Sequence, residues 1–584
     1  MSMKKYLSQI IPSVSCTVVA ADGTRIDGSQ EIKNIPVTNL VFDSREVSKG
    51  SLFFALPGTH TDGNRFIAQA ILSGANAVVF QGELSDELKP AIAKAIIERT
   101  IENGISDEID KFAPALIKVD DARIAMAPLS AAFYDNPSER LIVIGVTGTE
   151  GKSSTVSFIW QLLRSCGQKA GFISTVEYSF GGEARANPQH QTTPEAPIIQ
   201  HHLNEMLQNG CKYAVIESSS HGLSGRLNRC GNIAFDCAVF MNVTLEHLEF
   251  HKDFETYRCD KANLFRALDK NQHIKTIAGE KKAINSIGIV NLEDPSAEYF
   301  IKSTKHPVYG FTTEGKAGKS ACDFSATDAL PEIPAGISLM RAHDIAAKSD
   351  GISFCVTADG KNALCNPEES DARTQFAVQA DLPGAFNAYN LMASIIAVSS
   401  VTGLDFAEVA AHTSELVPVK GRMTVIDEGQ DFEVIVDYAH TPSSFQTIFP
   451  PLRERCTGRM LALFGSGGER DLTKRPLQGQ IAARFCDALV LADEDPRGEN
   501  PEELLRMIAE GAEKEGKILG KDLFITPDRP KAIRQMLGMA KKGDILLFLG
   551  KSHENSIIYK DFVMQYDEIS EVRNALHELL GEKA

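Results

Sequence analysis

The run VIGVTGTEGKSSTVSFIWQLL, residues 143–163, constrains the fold of this chain more than any other stretch. A short apolar strand enters a glycine-rich loop, the loop ends in Gly151-Lys152-Ser153, and a helix follows. That order belongs to parallel α/β folds, in which a loop of backbone N–H groups at a helix N-terminus cradles phosphate oxygens. Gly148 and Gly151 let the backbone come close, Lys152 reaches the terminal phosphates, and Ser153 is placed to ligate Mg²⁺. The spacing is a variant, T-G-T-x-G-K-[ST], because Val146 stands where the commoner loop begins with glycine. The anion site must be local, because the chain is acidic overall: 60 Lys+Arg against 77 Asp+Glu, a net charge of -17. That balance disfavours non-specific binding to nucleic acid.

With 584 residues and 43% hydrophobic residues, three or four domains of roughly 100–200 residues each can bury real cores. The eleven cysteines include no C-x-x-C pair, which argues against a disulfide framework or zinc ribbon and for reduced thiols in the cytoplasm. No apolar run is long enough to span a membrane. The N-terminal apolar stretch is broken by Ser8, Gln9, Pro12 and Ser13, against a signal peptide.

The pattern along the chain predicts an α/β fold of three domains. Residues 1–138 are a mixed α/β unit containing DSREVSKGSLFFALPG, a helical run over 65–75 ending at Gly74, and a charge-rich stretch over 81–115 that reads as a peripheral insertion. Residues 139–419 are a central P-loop-type domain with a parallel sheet, and 315–380 read as a small antiparallel addition. Residues 420–584 are a Rossmann-like α/β domain. Its strands around 434–436, 460–464, 489–491 and 545–549 each hand over to a polar motif: DYAHTP, GSGGERD, DEDPR and GKSHE. In open α/β sheets, ligands bind beyond such strand ends.

Two further strand ends carry metal-type ligands. Glu217 closes Tyr213-Ala214-Val215-Ile216, and Asn242, Glu246 and His247 follow Ala238-Val239-Phe240. Carboxylate and imidazole there suit Mg²⁺ on nucleotide phosphates. Lys261 begins a helical pattern in YRCDKANLF, and His251 reads as a structural or an exposed histidine.

Taken in order, TGTEGKSS, TTP at 192–194, ESSSHGL, NVTLEHLEFH, DKANLF, FNAYN at 386–390, GRM at 421–423, DYAHTP, FGSGGERD with KRP, DEDPR and GKSHE resemble the Mur ligase family. DSREVSKGSLFFALPG and DGNRFI look like the uridine-nucleotide domain of its diamino-acid-adding branch. The resemblance implies an ATP- and Mg²⁺-dependent ligase adding a diamino acid to UDP-N-acetylmuramoyl-L-alanyl-D-glutamate through an acyl phosphate, acting as a monomer without nucleic-acid or membrane partners. It implies Thr149, Gly151, Lys152, Ser153, Ser154, Asn390 (adenine), Arg422 and Asp437 (ribose) at ATP. Glu217 and His247 would sit at the metal and phosphate site, and Lys261 would be a metal-binding carbamate. Ser44 and Thr59, His60 and Thr61 would hold the uridine nucleotide. Thr192, Thr193, Ser219 and Arg226 would hold the dipeptide, with Arg229 competing for the last role. Arg470, Glu494, Asp495, Arg497, Gly550 and Glu554 would form the amino-acid pocket. Arg497 favours meso-diaminopimelate through a second carboxylate, whereas Asp495 pulls towards L-lysine or L-ornithine.

The sequence departs from the family at Glu150, where Asn is usual, at Glu246 for Asp, at Asp495 for Asn and at Ser552 for Gly. Two other readings compete: a folylpolyglutamate- or cyanophycin-type ligase, and a non-catalytic nucleotide-dependent binding protein.

Overall fold

The computed structural model describes residues 3–26, 32–58, 62–102, 113–188, 191–244, 246, 248–313, 337–348, 350–364 and 373–583. Three sheet systems follow one another along the chain.

In the first, strands Asn39–Val41, Ser51–Phe54, Ala75–Gln81 and Ala115–Val119 pair in parallel in chain order, and Cys16–Val19 closes one edge antiparallel. Ser51–Phe54 is buried throughout, as expected where both faces of a sheet are covered. Within 81–115, of which 103–112 lie outside the described residues, the part up to Glu102 is not peripheral. Its helix Leu88–Glu102 is the crossover that makes the next strand parallel, and Ile92 and Ala95 lie in the core. Arg99 is buried too, donating to Ile71 O, Ala75 O and Asn76 Oδ1 at 2.8, 2.8 and 2.7 Å. Its charge made the segment read as surface, but three carbonyl acceptors replace water around the guanidinium.

The central sheet runs Arg185–Ala186, Glu177–Ser179, Ala170–Ile173, Tyr213–Glu217, Ile142–Thr147, Cys237–Phe240, Ile287–Asn291, Val308–Thr313, Ser338–Ala347, Ile352–Asp359 and Arg373–Ala380. The seven strands from Ala170 to Ser338 in this order are parallel, and the outer pairings are antiparallel. The antiparallel addition is therefore an extension of the main sheet. Side chains alternate across the sheet. Ile142, Ile144 and Val146 face helices Lys152–Ser165 and Asn387–Thr402, while Leu141 and Val143 share a core with Ala196–Gln208 and Phe254–Leu268. Lys261 sits in the middle of Phe254–Leu268, not at its start. Asp253 caps that helix by accepting Thr256 N–H at 2.7 Å, two turns earlier than the apolar pattern alone suggested.

The third sheet has the order Thr424–Val425, Glu433–Asp437, Ile545–Leu549, Met460–Phe464, Ala488–Leu491, Leu523–Ile525, parallel except for its first strand. The four handover motifs emerge together at the carboxyl ends of its strands. Among the described residues, no helix is long and apolar enough to cross a membrane.

Candidate active site

The glycine-rich loop joins Ile142–Thr147 to Lys152–Ser165, with Gly151 at the N-cap in the left-handed region (φ 82). A Cβ there would stand 2.8 Å from Asn390 Oδ1, so both conformation and space require glycine. Asn242 supports the loop from the adjacent strand end. Its Oδ1 accepts Thr149 N–H and Glu150 N–H at 3.0 and 2.8 Å, and its Nδ2 donates to Glu150 O at 3.2 Å. Lys152 Nζ lies on Thr149 O at 2.7 Å, and Ser154 is half-buried on the first turn. Asn390 braces the helix: its Oδ1 accepts Thr155 Oγ1 at 3.2 Å and its Nδ2 donates to Asn387 Oδ1 at 2.9 Å.

Beneath the loop, Ser153 Oγ donates to Glu217 Oε1 at 3.0 Å, and Glu217 Oε2 accepts Thr175 N–H at 2.8 Å. Both side chains are buried. Lys261 is buried as well, its Nζ donating to Gly148 O at 2.6 Å and standing 4.6 Å from the Tyr257 ring. Burial, then the neighbouring Lys152, push Lys261 well below the ordinary lysine range, against the pull of Glu246, Glu150 and Glu217. Glu150 is pushed up to about 7 by desolvation and by Glu246, against Lys152 and Arg422. His247, expected beside these groups, lies outside the described residues. His251 is a buried structural histidine between Asp260 Oδ2 and Ser220 Oγ, at 2.9 and 3.0 Å.

The third sheet brings its residues onto this loop. Arg422 Nη2 donates to Ser153 Oγ at 3.3 Å and its guanidinium packs over Tyr438. Asp437 accepts Met423 N–H and Ala439 N–H, each at 2.7 Å, and burial raises its pKa. His440 Nε2 is 3.8 Å from Glu246 Oε1. Burial, then Lys474, bring that histidine down to about 4, so the contact is not an ion pair near neutrality.

The segments expected to form the amino-acid pocket contain a cation that the motif reading did not single out. Lys551, fully buried, donates to Asp495 Oδ1 at 2.8 Å and also pairs with Glu554. Glu554 accepts Tyr438 O–H at 3.0 Å. Asp495 is therefore not the uncompensated anion expected from its replacement of Asn, and its Oδ1 accepts Ile558 N–H as well. The only signal in the sequence was the lysine within GKSHE. Arg497, at φ 53, has a guanidinium only 4.0 Å from Asp495 Oδ2. Glu494 Oε2 is buried with no hydrogen-bond partner among the described residues, 2.8 Å from where a Cβ on Gly550 (φ 98) would lie. Arg470 is exposed beside them. Ser552 adopts φ 45 where the family has Gly, and its hydroxyl bonds to Gly421 O.

On the other side of the loop, Thr193 Oγ1 donates to Glu217 O at 2.8 Å and accepts Ser219 N–H at 2.9 Å. Ser219 caps its short helix through Gly222 N–H. Thr192 is half-buried next to them. Arg229 is committed to Glu195 Oε1 and Thr193 O. Arg226 is exposed, stacked 4.2 Å from the Phe250 ring and donating to Phe250 O. In the first sheet system a cavity of about 410 Å³ is lined by Phe42, Ser44, Arg45, Leu56 and Phe66, among others. Thr59, His60 and Thr61 lie outside the described residues.

Comparison with known proteins agrees with this layout. Family models match in order: Mur ligase family, catalytic domain, at residues 36–134; Mur ligase middle domain at 146–398; Mur ligase, glutamate ligase domain, at 421–552. The chain is 46% identical to a UDP-N-acetylmuramyl-tripeptide synthetase of Treponema denticola, over 99% of this chain and 98% of that protein. It is 34% identical to a UDP-N-acetylmuramoyl-L-alanyl-D-glutamate--2,6-diaminopimelate ligase of Geobacillus kaustophilus, over 93% and 96%. A solved structure of a ligase of the latter name aligns with a TM-score of 0.55 at 24% identity, over 99% and 100%. MurF ligase from Thermotoga maritima in complex with ADP aligns at 0.57 and 17%, over 94% and 98%. With three family models laid in order along its length and relatives of this identity over nearly all of it, the chain belongs to the Mur ligase family, the ATP-dependent amide-bond ligases.

Proposed function

We propose that this ligase joins the D-glutamyl carboxylate of UDP-N-acetylmuramoyl-L-alanyl-D-glutamate to an amino group of a diamino acid, in the cytoplasm and as a monomer, using ATP. The observation that carries this reading is the meeting of Ser153 with Glu217 from the central sheet and with Arg422 from the third, at 3.0 and 3.3 Å. Strand ends of two sheets thereby face one phosphate loop.

The carboxylate attacks the γ-phosphorus and ADP leaves, giving an acyl phosphate. The amine then attacks the acyl carbon, phosphate leaves and the nitrogen loses a proton. Lys152, the loop N–H groups and Arg422 face the phosphate charge. Ser153 and Glu217 are hard oxygen donors 3.0 Å apart, a set that fits Mg²⁺. His247 and Lys261, as a carbamate, would complete it. When bound, Mg²⁺ offsets the repulsion between carboxylate and phosphate. Thr149, Gly151 and Ser154 contribute to the loop, Asn390 is assigned to adenine and Asp437 to ribose. Thr192, Thr193 and Ser219 are assigned to the dipeptide together with Arg226, which is exposed, whereas Arg229 is committed to Glu195. Ser44 and residues 59–61 are assigned to the uridine nucleotide, and the cavity beside Ser44 supports this.

Release of phosphate only when the muramyl dipeptide and a diamino acid are both present is the expected result. ATP binding without turnover would favour the non-catalytic reading instead. A uridine-nucleotide requirement separates this enzyme from a folylpolyglutamate- or cyanophycin-type ligase.

Among diamino acids, meso-diaminopimelate is expected to be preferred. Asp495 is balanced by Lys551, while Arg497 retains donors for a bidentate bond to a second carboxylate. Arg470, Glu494, Gly550 and Glu554 complete the pocket. Initial rates with meso-diaminopimelate, L-lysine and L-ornithine at equal concentration check this, and faster turnover of either of the last two overturns it.

The third sheet system is expected to close as a rigid body around the substrates, because the groups assigned to ATP are divided between it and the central sheet. Small-angle scattering should report a smaller radius of gyration with an ATP analogue plus dipeptide substrate. Superimposable curves would count against closure.

A further inference from the structure

Glu150 places an acid in the phosphate loop itself, where it would repel nucleotide phosphates unless it points elsewhere. Its backbone is held by Asn242, and its side chain leaves the loop towards the third sheet system. There Thr441 Oγ1 lies 3.2 Å from Glu150 Oε1 in donor geometry. Thr441 is the N-cap of helix Pro442–Arg455 and accepts Ser444 N–H at 3.0 Å. It directly follows the segment Asp437–His440. Next to this contact, Thr244 Oγ1 lies 3.4 Å from Ser443 Oγ. Desolvation and Glu246 push Glu150 up to about 7, and Lys152 and Arg422 offset only part of that.

We propose that Glu150 is a positioning residue: through Thr441 it registers the third sheet system on the phosphate loop and so sets Arg422 and Asp437 over bound ATP. The inference goes beyond the assignment of substrates but rests on the reading of the loop as an ATP site. In its ionised form Glu150 accepts a directional hydroxyl bond that is stronger than a neutral one. The bond forms only when the two sheet systems are together, so its free energy favours the closed arrangement and tightens ATP binding by that differential.

The test combines ATP binding by calorimetry with steady-state kinetics on the full chain. Glu150→Ala should raise the Kd and KM for ATP about tenfold, the scale of one hydrogen bond to a charged group, and change the KM for the diamino acid less. Glu150→Gln, which keeps an acceptor, should regain part of that loss. Thr441→Asp keeps an N-cap residue but sets a carboxylate against Glu150, and should weaken ATP binding further. Adding Glu150→Gln to Thr441→Asp should restore binding towards the level of Glu150→Gln alone, a rescue that a purely structural threonine would not show. Thermal midpoints identify any variant that folds poorly, and the Ala and Gln variants at position 150 then decide alone. Unchanged ATP binding in Glu150→Ala beside a wild type that binds, or no rescue of a folded Thr441→Asp, overturns this inference. A wild type that fails to bind ATP overturns the nucleotide reading itself.

Discussion

Lys261→Ala should lower turnover by at least about a hundredfold, the range seen when one preorganised electrostatic group is removed from an active site. The lysine is 2% exposed and its Nζ is bonded to Gly148 O, inside the phosphate loop. Burial and Lys152 favour the neutral amine. A neutral amine is the form that attacks CO₂: an N–C bond forms, one N–H proton passes to water, and a carbamate anion remains. At Lys261 that anion would lie beside Ser153 and Glu217 and add a third oxygen donor to them. Short carboxylates such as acetate should restore part of the activity of Lys261→Ala by entering the space left by the side chain. Labelled bicarbonate gives an independent readout, because a carbamate ¹³C resonance is expected for the wild type and not for the variant. An alanine variant with full activity and no response to carboxylates would sink the assignment.

The second large effect concerns stability. Arg529 and Glu568, both fully buried, are joined by two hydrogen bonds at 2.8 and 2.7 Å. Arg529 also donates to Asp493 O and Leu549 O at 3.1 and 2.7 Å. Those carbonyls immediately precede Glu494 and Gly550, so this pair supports two of the positions proposed for the amino-acid pocket. Arg529→Met leaves a carboxylate buried without its partner, which costs about 3–5 kcal/mol. Arg529→Met combined with Glu568→Leu removes both charges and should recover most of that loss, though not the two carbonyl bonds or the bond from the Tyr566 hydroxyl to Glu568. Denaturant unfolding followed through amide exchange of Ile545–Leu549 measures both variants. Equal destabilisation by the single and double variants would mean that the charge pair is not the cause.

Much of the site was legible in the sequence because its groups are tied to strand ends. Glu217 and Asp437 close apolar runs, Asn242 follows one and Ser153 lies one loop beyond another, and each parallel sheet carries such ends to one edge whatever the intervening loops do. Glycine at 151 was legible from the strand–loop–helix pattern, but the group that crowds it, Asn390 Oδ1, was not. The four strands expected in the third sheet system all form, whereas Leu523–Ile525 is only three residues long and gives too short a signal to read.

Pairing decided the rest. Asp495 reads as an extra negative charge until Lys551, 56 positions along the chain, is found 2.8 Å away. Arg99 reads as surface until three acceptors converge on it. Glu150 reads as a defect in a phosphate loop until Thr441 meets its carboxylate from the other sheet system. Residue type and periodicity report where a side chain sits on its own element. The charge it presents to a substrate depends on desolvation and on partners within a few ångströms. Only the tertiary structure brings those partners together.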